Sequence, residues 1–217
     1  MYQWIEDKKF LKNVRSLCSG IVNELVQDIN NDDVMDVVAH MVGSGAKNME
    51  TQNASEPIDL DYNLKILKIY DLDINKDADK IKNYIRMKFN GVLKKYGWGN
   101  CDDSTSALTT KKQQLKEGNK TKFSIDLAIV REDNNTVWYR LIHEKTGDTK
   151  RDRWYWVEGP KSKGLNDKVD WLKKNNYWTK VREAYLEKKN LYLKHGDKHH
   201  PSFICYIEAV NEVYSKY

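Results

Sequence analysis

The chain has 217 residues, 40% of them hydrophobic and 32% charged, a balance that excludes a disordered or fibrous polypeptide and suits one soluble domain with a full core. With 37 Lys and Arg against 32 Asp and Glu, the formal net charge is +5. That mild excess is compatible with a polyanionic ligand and equally with a solvated helical face, and no apolar run approaches the roughly 20 residues that span a bilayer.

Three widely spaced cysteines, Cys18, Cys101 and Cys205, do not form a disulfide framework; they read as free thiols in a reducing compartment, the cytoplasm. The opening stretch MYQWIEDKKFLKNV carries charges where a secretion signal needs an apolar segment. From Trp4 to Ile29, apolar residues at Phe10, Val14, Leu17, Ile21 and Leu25 keep helical spacing and predict an amphipathic helix. The polar run from Asn30 to Asp33 ends it. Val37–Val42 reads as a short buried strand entering a Gly-Ser-Gly turn, and the polar stretch up to Pro57 as a loop or short helix. Ile58–Tyr70 is the next strand, and residues ~78–96 form a helix with Ile81, Ile85, Phe89 and Leu93 inward, stopped by Gly97. Ser104–Thr110 suggests an edge strand. Lys122–Val130 and the stretch TVWYRLIHEK, separated by a polar turn, predict a hairpin. GDTKRDR reads as a loop, and three amphipathic segments close the chain as helices. This order predicts an α+β protein with a mixed or antiparallel sheet and flanking helices. It is divided into a catalytic core over residues 1–150 and a helical lobe over residues 151–217 within a single domain 1–217.

Three carboxylates lie on strands. Asp59 and Asp61, two apart, project to one side. Asp126 interrupts the apolar run FSIDLAIV, where burying a carboxylate without a partner is costly. Hard oxygen donors of this kind suit Mg²⁺, and two such ions clamp the attacking and leaving oxygens of a phosphoryl transfer. A Gly-rich turn such as Gly43-Ser44 lets backbone N–H groups approach phosphate oxygens.

In this order, MVGSGAKN, PIDLDYNLKI and KFSIDLAIV resemble the DNA polymerase β-like nucleotidyltransferase superfamily. The helix between the acidic pair and the third acid resembles the group containing cyclic GMP-AMP synthase, oligoadenylate synthase and the bacterial cyclic-oligonucleotide synthases. The segment with Pro160, Lys161 and Trp171 is similar to the post-catalytic stretch of that group, and EKKNLYLKHGDKHHPSF is similar to its phosphate-binding pair. The resemblance implies that Asp59, Asp61 and Asp126 bind two Mg²⁺ or Mn²⁺ ions. It also implies that Gly43 and Ser44 hold the terminal phosphates, that Lys188 or Lys189 with Ser202 grips the triphosphate, and that Phe203 stacks on the base. The implied activity is transfer of a nucleoside monophosphate from an NTP such as ATP to a hydroxyl of a nucleotide, RNA, protein or small molecule. The implied protein is a monomer or weak oligomer with no membrane partner. The alternative is a nucleotide- or RNA-binding module on the same fold without turnover.

Other motifs are weaker. DLDINKDADK from Asp71 has the acidic spacing of an EF-hand loop, but Lys76 and Lys82 replace its required Gly and Glu; a polar loop with Asp77 or Asp79 capping the next helix is expected. His195, His199, His200 and Cys205 fit no standard zinc spacing, and Lys198 opposes a cation. Trp154 and Trp156 at period two suit one strand face better than base stacking. His143 reads as a satisfied core histidine rather than a base. Lys47 and Lys145 lie near the site in sequence, with no assigned role.

Overall fold

A computed structural model describes residues 1–160, 164–197 and 200–217; Lys161, Lys198 and His199 lie outside the described residues. The elements are β1 (Tyr2–Trp4), α1 (Lys8–Asn30), β2 (Met35–Met41), α2 (Gly43–Lys47), β3 (Thr51–Asn53), β4 (Ile58–Ile69) and α3 (Ala78–Lys95). They continue as β5 (Asp102–Asp103), β6 (Leu108–Thr109), β7 (Phe123–Glu132), β8 (Trp138–Glu144), β9 (Arg153–Glu158), α4 (Leu165–Lys174), α5 (Trp178–Lys194) and α6 (Ser202–Lys216). The expected α+β order is observed.

Seven strands form one mixed sheet in the order β2-β4-β7-β6-β5, with β8 pairing the far end of β7 and β9 pairing β8. β4 and β7 are parallel, and α3 lies in the crossover between them, a connection that parallel neighbours require. Along β4, Ile58, Leu60, Tyr62, Leu64 and Ile66 are buried while the alternate residues face away. The buried set joins Phe10, Val14, Ile21 and Leu25 of α1 and Ile81, Ile85 and Phe89 of α3 in one core. Removing such side chains from water stabilises the fold by about 1.5–3 kcal/mol each. A second core joins α4, α5 and α6 to Met49, just after α2.

Three differences from the sequence expectation have local causes. α1 starts at Lys8 rather than Trp4, because Asp7 caps it by accepting from the Phe10 amide at 2.9 Å. The residues before it pair with β3 as β1. The predicted edge strand is a tight hairpin of β5 and β6. β9 begins at Arg153, the last residue of the expected loop, and carries Trp154 and Trp156 on a strand as their period-two spacing suggests, so the sheet extends into the stretch assigned to the helical lobe. Trp154 and Trp156 pack from β9 against the main core; Trp154 stacks on His143 at 4.2 Å, and the Trp156 indole N–H donates to Ile74 O at 2.7 Å. Period two is thus a packing signal here, and the two Trp–X–Trp residues outweigh the polar composition around them.

Candidate active site

β4 carries its apolar residues into the main core, so Asp59 and Asp61 project from the opposite face. The parallel register places Asp61 beside Asp126 and Asp59 beside Ser124. The Ser124 hydroxyl donates to Asp59 Oδ1, and the Thr109 hydroxyl on β6 donates to Asp126 Oδ1 at 2.6 Å. Burial, reinforced by the charges of Asp126 and Asp59, pushes Asp61 up to about 6. Burial also raises Asp126, against the Thr109 hydrogen bond. Neither Asp61 nor Asp126 has an ion-pair partner among the described residues; Arg140 and Lys189 act on Asp61 only through their charge. Like charges at low solvent exposure without a basic partner disfavour ionisation.

Gly43, the first residue of α2, has φ +64, and a Cβ built there stands 2.4 Å from Asp61 Oδ2. Only glycine lets the backbone run against that carboxylate. The Val42 amide donates to Asp61 O at 2.8 Å, which fixes the turn to β4. Ser44 follows in α2, whose end binds back through Met49 N to Ser44 O at 3.0 Å. A cavity of about 650 Å³ opens on Asp59 and Asp126 from the β5–β6 side, lined also by Ser124, Thr109, Lys111 and Lys112 among others.

The two candidate lysines part company. Lys188 pairs with Glu212 on α6 at 2.8 Å. Lys189 turns to the other side of α5; its Nζ donates to Thr51 Oγ1 at 2.9 Å and sits 4.0 Å over the Tyr2 ring. Burial lowers Lys189, opposed by Cys205, Asp61 and Glu56, so its charge is felt at Asp61. Ser202 opens α6, and burial pushes the Tyr185 hydroxyl up to about 12, with Ser202 acting against the shift. Phe203 is partly exposed and stacks on Tyr206 at 6.4 Å. Lys47 bonds Gly43 O at 3.2 Å and covers the Tyr206 ring at 4.9 Å, which ties α2 to α6.

The remaining motifs fall elsewhere. Lys145 donates to Asp103 O. His143 is buried, with Nδ1 2.9 Å from Asp103 and Nε2 3.1 Å from Asp152, a satisfied core position. In the Asp71 loop, Asp73 accepts from the amides of Asn75 and Lys76, and Asp77 accepts from the amide of Asp73. Its side chain closes the loop rather than capping α3. His200 bonds Asp197 at 2.9 Å and stacks on Tyr192.

Among the described residues no group of three or more His, Cys, Asp and Glu side chains is gathered as a metal site. The donor chemistry at β4 and β7 nevertheless fits a divalent cation, because adjacent half-buried carboxylates stand there without a neutralising partner. Thr109, Ser124, Tyr185 and Thr51 are site-side residues that sequence reasoning passed over. Only Ser124, two residues before Asp126 on one strand, left a trace in the pattern.

No family model matches the sequence, and no curated protein matches it. Several solved structures share the architecture, among them the following. CdnC of E. coli MS115-1 with ATP has TM-score 0.60 and 13% identity, covering 94% of this chain and 61% of that one. The same protein in a CdnC:HORMA-deltaN complex has TM-score 0.58 and 13% identity, covering 94% and 60%. Vibrio cholerae DncV cyclic AMP-GMP synthase, in complex with the linear intermediate 5' pppA(3',5')pG, has TM-score 0.51 and 13% identity, covering 82% and 47%. This chain therefore spans 61% of the length of CdnC and 47% of that of DncV. The carboxylate face, the Gly43 turn and the helical layer are set in a polymerase β-like nucleotidyltransferase fold, in the form that CdnC and DncV carry.

Proposed function

We propose that the protein is a metal-dependent nucleotidyltransferase. It moves a nucleoside monophosphate from an NTP such as ATP to an acceptor hydroxyl and releases pyrophosphate. The observation that carries this reading is the register of β4 on β7, which sets Asp61 beside Asp126, with Asp59 two residues away and Gly43 against the Asp61 carboxylate. Asp59, Asp61 and Asp126 would hold two Mg²⁺ or Mn²⁺ ions. When bound, those ions supply neutralisation of the triphosphate and a lowered pKa for the acceptor hydroxyl.

The chain's own residues do the rest by position. Gly43 and Ser44 hold the β- and γ-phosphates at the turn. Of the two lysines, Lys189 is assigned to the triphosphate, and Ser202 with it, because Lys188 is committed to Glu212. Phe203 offers a partly exposed ring to the base. Asp126, whose proton affinity burial raises, accepts the proton of the acceptor hydroxyl. The hydroxyl oxygen attacks the α-phosphorus in line, a P–O bond forms, and the bond to the β-phosphate oxygen breaks. Most of the rate enhancement comes from alignment and fixed charge. Within this class the chain is assigned to the relatives of bacterial cyclic-oligonucleotide synthases, with a catalytic core that runs on through β9 and a helical lobe of α4 to α6 beyond. Three buried free thiols suit the cytoplasm, and no described helix is long and apolar enough to cross a membrane.

The test is pyrophosphate release from each of the four NTPs with Mg²⁺ or Mn²⁺, with and without nucleotide acceptors. Release is expected in the unchanged protein and absent in Asp59→Ala plus Asp61→Ala. Release that persists in the double variant overturns the assignment.

A further inference from the structure

Two hydroxyls touch the candidate carboxylates, and neither belongs to the residues assigned above. The Thr109 hydroxyl donates to Asp126 Oδ1 at 2.6 Å, and the Ser124 hydroxyl donates to Asp59 Oδ1. Each pair is set by strand register: Thr109 lies opposite Asp126 across β6 and β7, and Ser124 lies opposite Asp59 across β7 and β4. A carboxylate has two oxygens with about four acceptor sites between them. One hydroxyl on Oδ1 fixes the rotation of the group and leaves Oδ2 directed elsewhere.

The donors are themselves held. Ser124 is 1% exposed, inside the sheet. The Ile125 amide donates to the buried Thr110 hydroxyl at 2.9 Å, which locks β6 onto β7 next to Thr109. The far strand of the hairpin is anchored by Asp103. Its carboxylate stands 2.7 Å from the buried Lys82 ammonium and 2.9 Å from His143, and Ser104 closes the turn by donating to Ala107 O at 2.9 Å. A surface threonine explores several rotamers; this one is carried by a strand pinned at both ends.

We propose that Thr109 and Ser124 are positioning residues, which hold the Asp126 and Asp59 carboxylates in the orientation that receives a divalent cation. The proposal rests on the nucleotidyltransferase reading of those carboxylates. Loss of an outer hydrogen bond to a metal-ligating group characteristically costs 10–100-fold in metal affinity.

The test is Mn²⁺ binding, followed by electron paramagnetic resonance in the presence of a non-hydrolysable ATP analogue, alongside thermal melting. Thr109→Val and Ser124→Ala are each expected to weaken Mn²⁺ binding about 10–100-fold. Thr109→Ser, which keeps the hydroxyl, is expected to bind Mn²⁺ as the unchanged protein does. If Thr109→Val does not fold, Thr109→Ala takes its place against the same Thr109→Ser control. Unchanged Mn²⁺ affinity in the folded hydroxyl-deleted variants, with binding lost in Asp61→Ala, overturns the positioning roles alone. Failure of the unchanged protein to bind Mn²⁺, or binding that survives Asp61→Ala, overturns the underlying reading and the inference together.

Discussion

Gly43 shows how much one residue decides. At φ +64 an L side chain costs about 1–2 kcal/mol, and its Cβ would stand 2.4 Å from Asp61 Oδ2. The carboxylate would have to leave its place beside Asp126. Gly43→Ala is therefore expected to lower stability by about 1–2 kcal/mol and to cut pyrophosphate release at least about tenfold. Urea melts and the release assay read these separately. A variant as active as the unchanged protein would show that the close approach has no catalytic meaning. The acids themselves were legible in the sequence, because period two puts Asp59 and Asp61 on one side and an apolar run exposes Asp126 as an exception. Their hydroxyl partners were not. Thr109 is 17 residues from Asp126, and nothing in a sequence pattern states which residue of a short strand faces which.

At the scale of elements, the β5–β6 hairpin depends on a buried ionic cluster behind it. Lys82, on α3, is 1% exposed and points at Asp103 at 2.7 Å; burial lowers its pKa, against the hydrogen bond and charge of Asp103. Helical spacing puts Lys82 next to the inward Ile81, where a solvated lysine would be the ordinary expectation. Removing one partner of such a pair leaves the other charge buried and typically costs 3–5 kcal/mol. Lys82→Met is thus expected to destabilise the protein by about 3 kcal/mol in urea unfolding; a loss below about 1 kcal/mol would show that Asp103 is held in place without Lys82, through its contacts with Arg86 and His143. The same register problem separates Lys188 from Lys189. Adjacent helical residues lie about 100° apart, so one meets Glu212 and the other Thr51, and the sequence offered both.

At the scale of the molecule, α6 is bound to α5 by Glu212, which accepts from Lys188 and Lys216. These hydrogen bonds lower its carboxyl from an ordinary 4.5 to about 2. A depressed carboxyl contributes its stabilisation above the unfolded pKa and loses it as pH falls through the folded one. Stability is therefore expected to drop between about pH 4.5 and pH 2. That portion of the decline is expected to shrink in Glu212→Gln, read as melting temperature against pH; equal slopes for the two proteins would dismiss the tether. The thiols give a second global readout. Burial raises Cys18 to about 12 and Cys101 to about 11, and Cys205 is 1% exposed. Iodoacetamide at pH 7.5 is expected to leave all three unmodified in the native protein and to alkylate them after denaturation, as mass spectrometry would show.

By itself the sequence determined the α+β class, the helices α1 and α3 with their inward faces, the strands β4 and β7, and the three acids with the Gly43-Ser44 turn. Local periodicity and burial cost are properties of neighbouring residues, and those suffice for such features. Only the tertiary structure decided that β4 and β7 lie parallel in the register that sets Asp61 beside Asp126. It likewise decided that β9 completes the sheet, and that Lys188 pairs with Glu212 while Lys189 meets Thr51. Pairing between strands distant in sequence is fixed by how the whole core closes, and no local pattern carries that information.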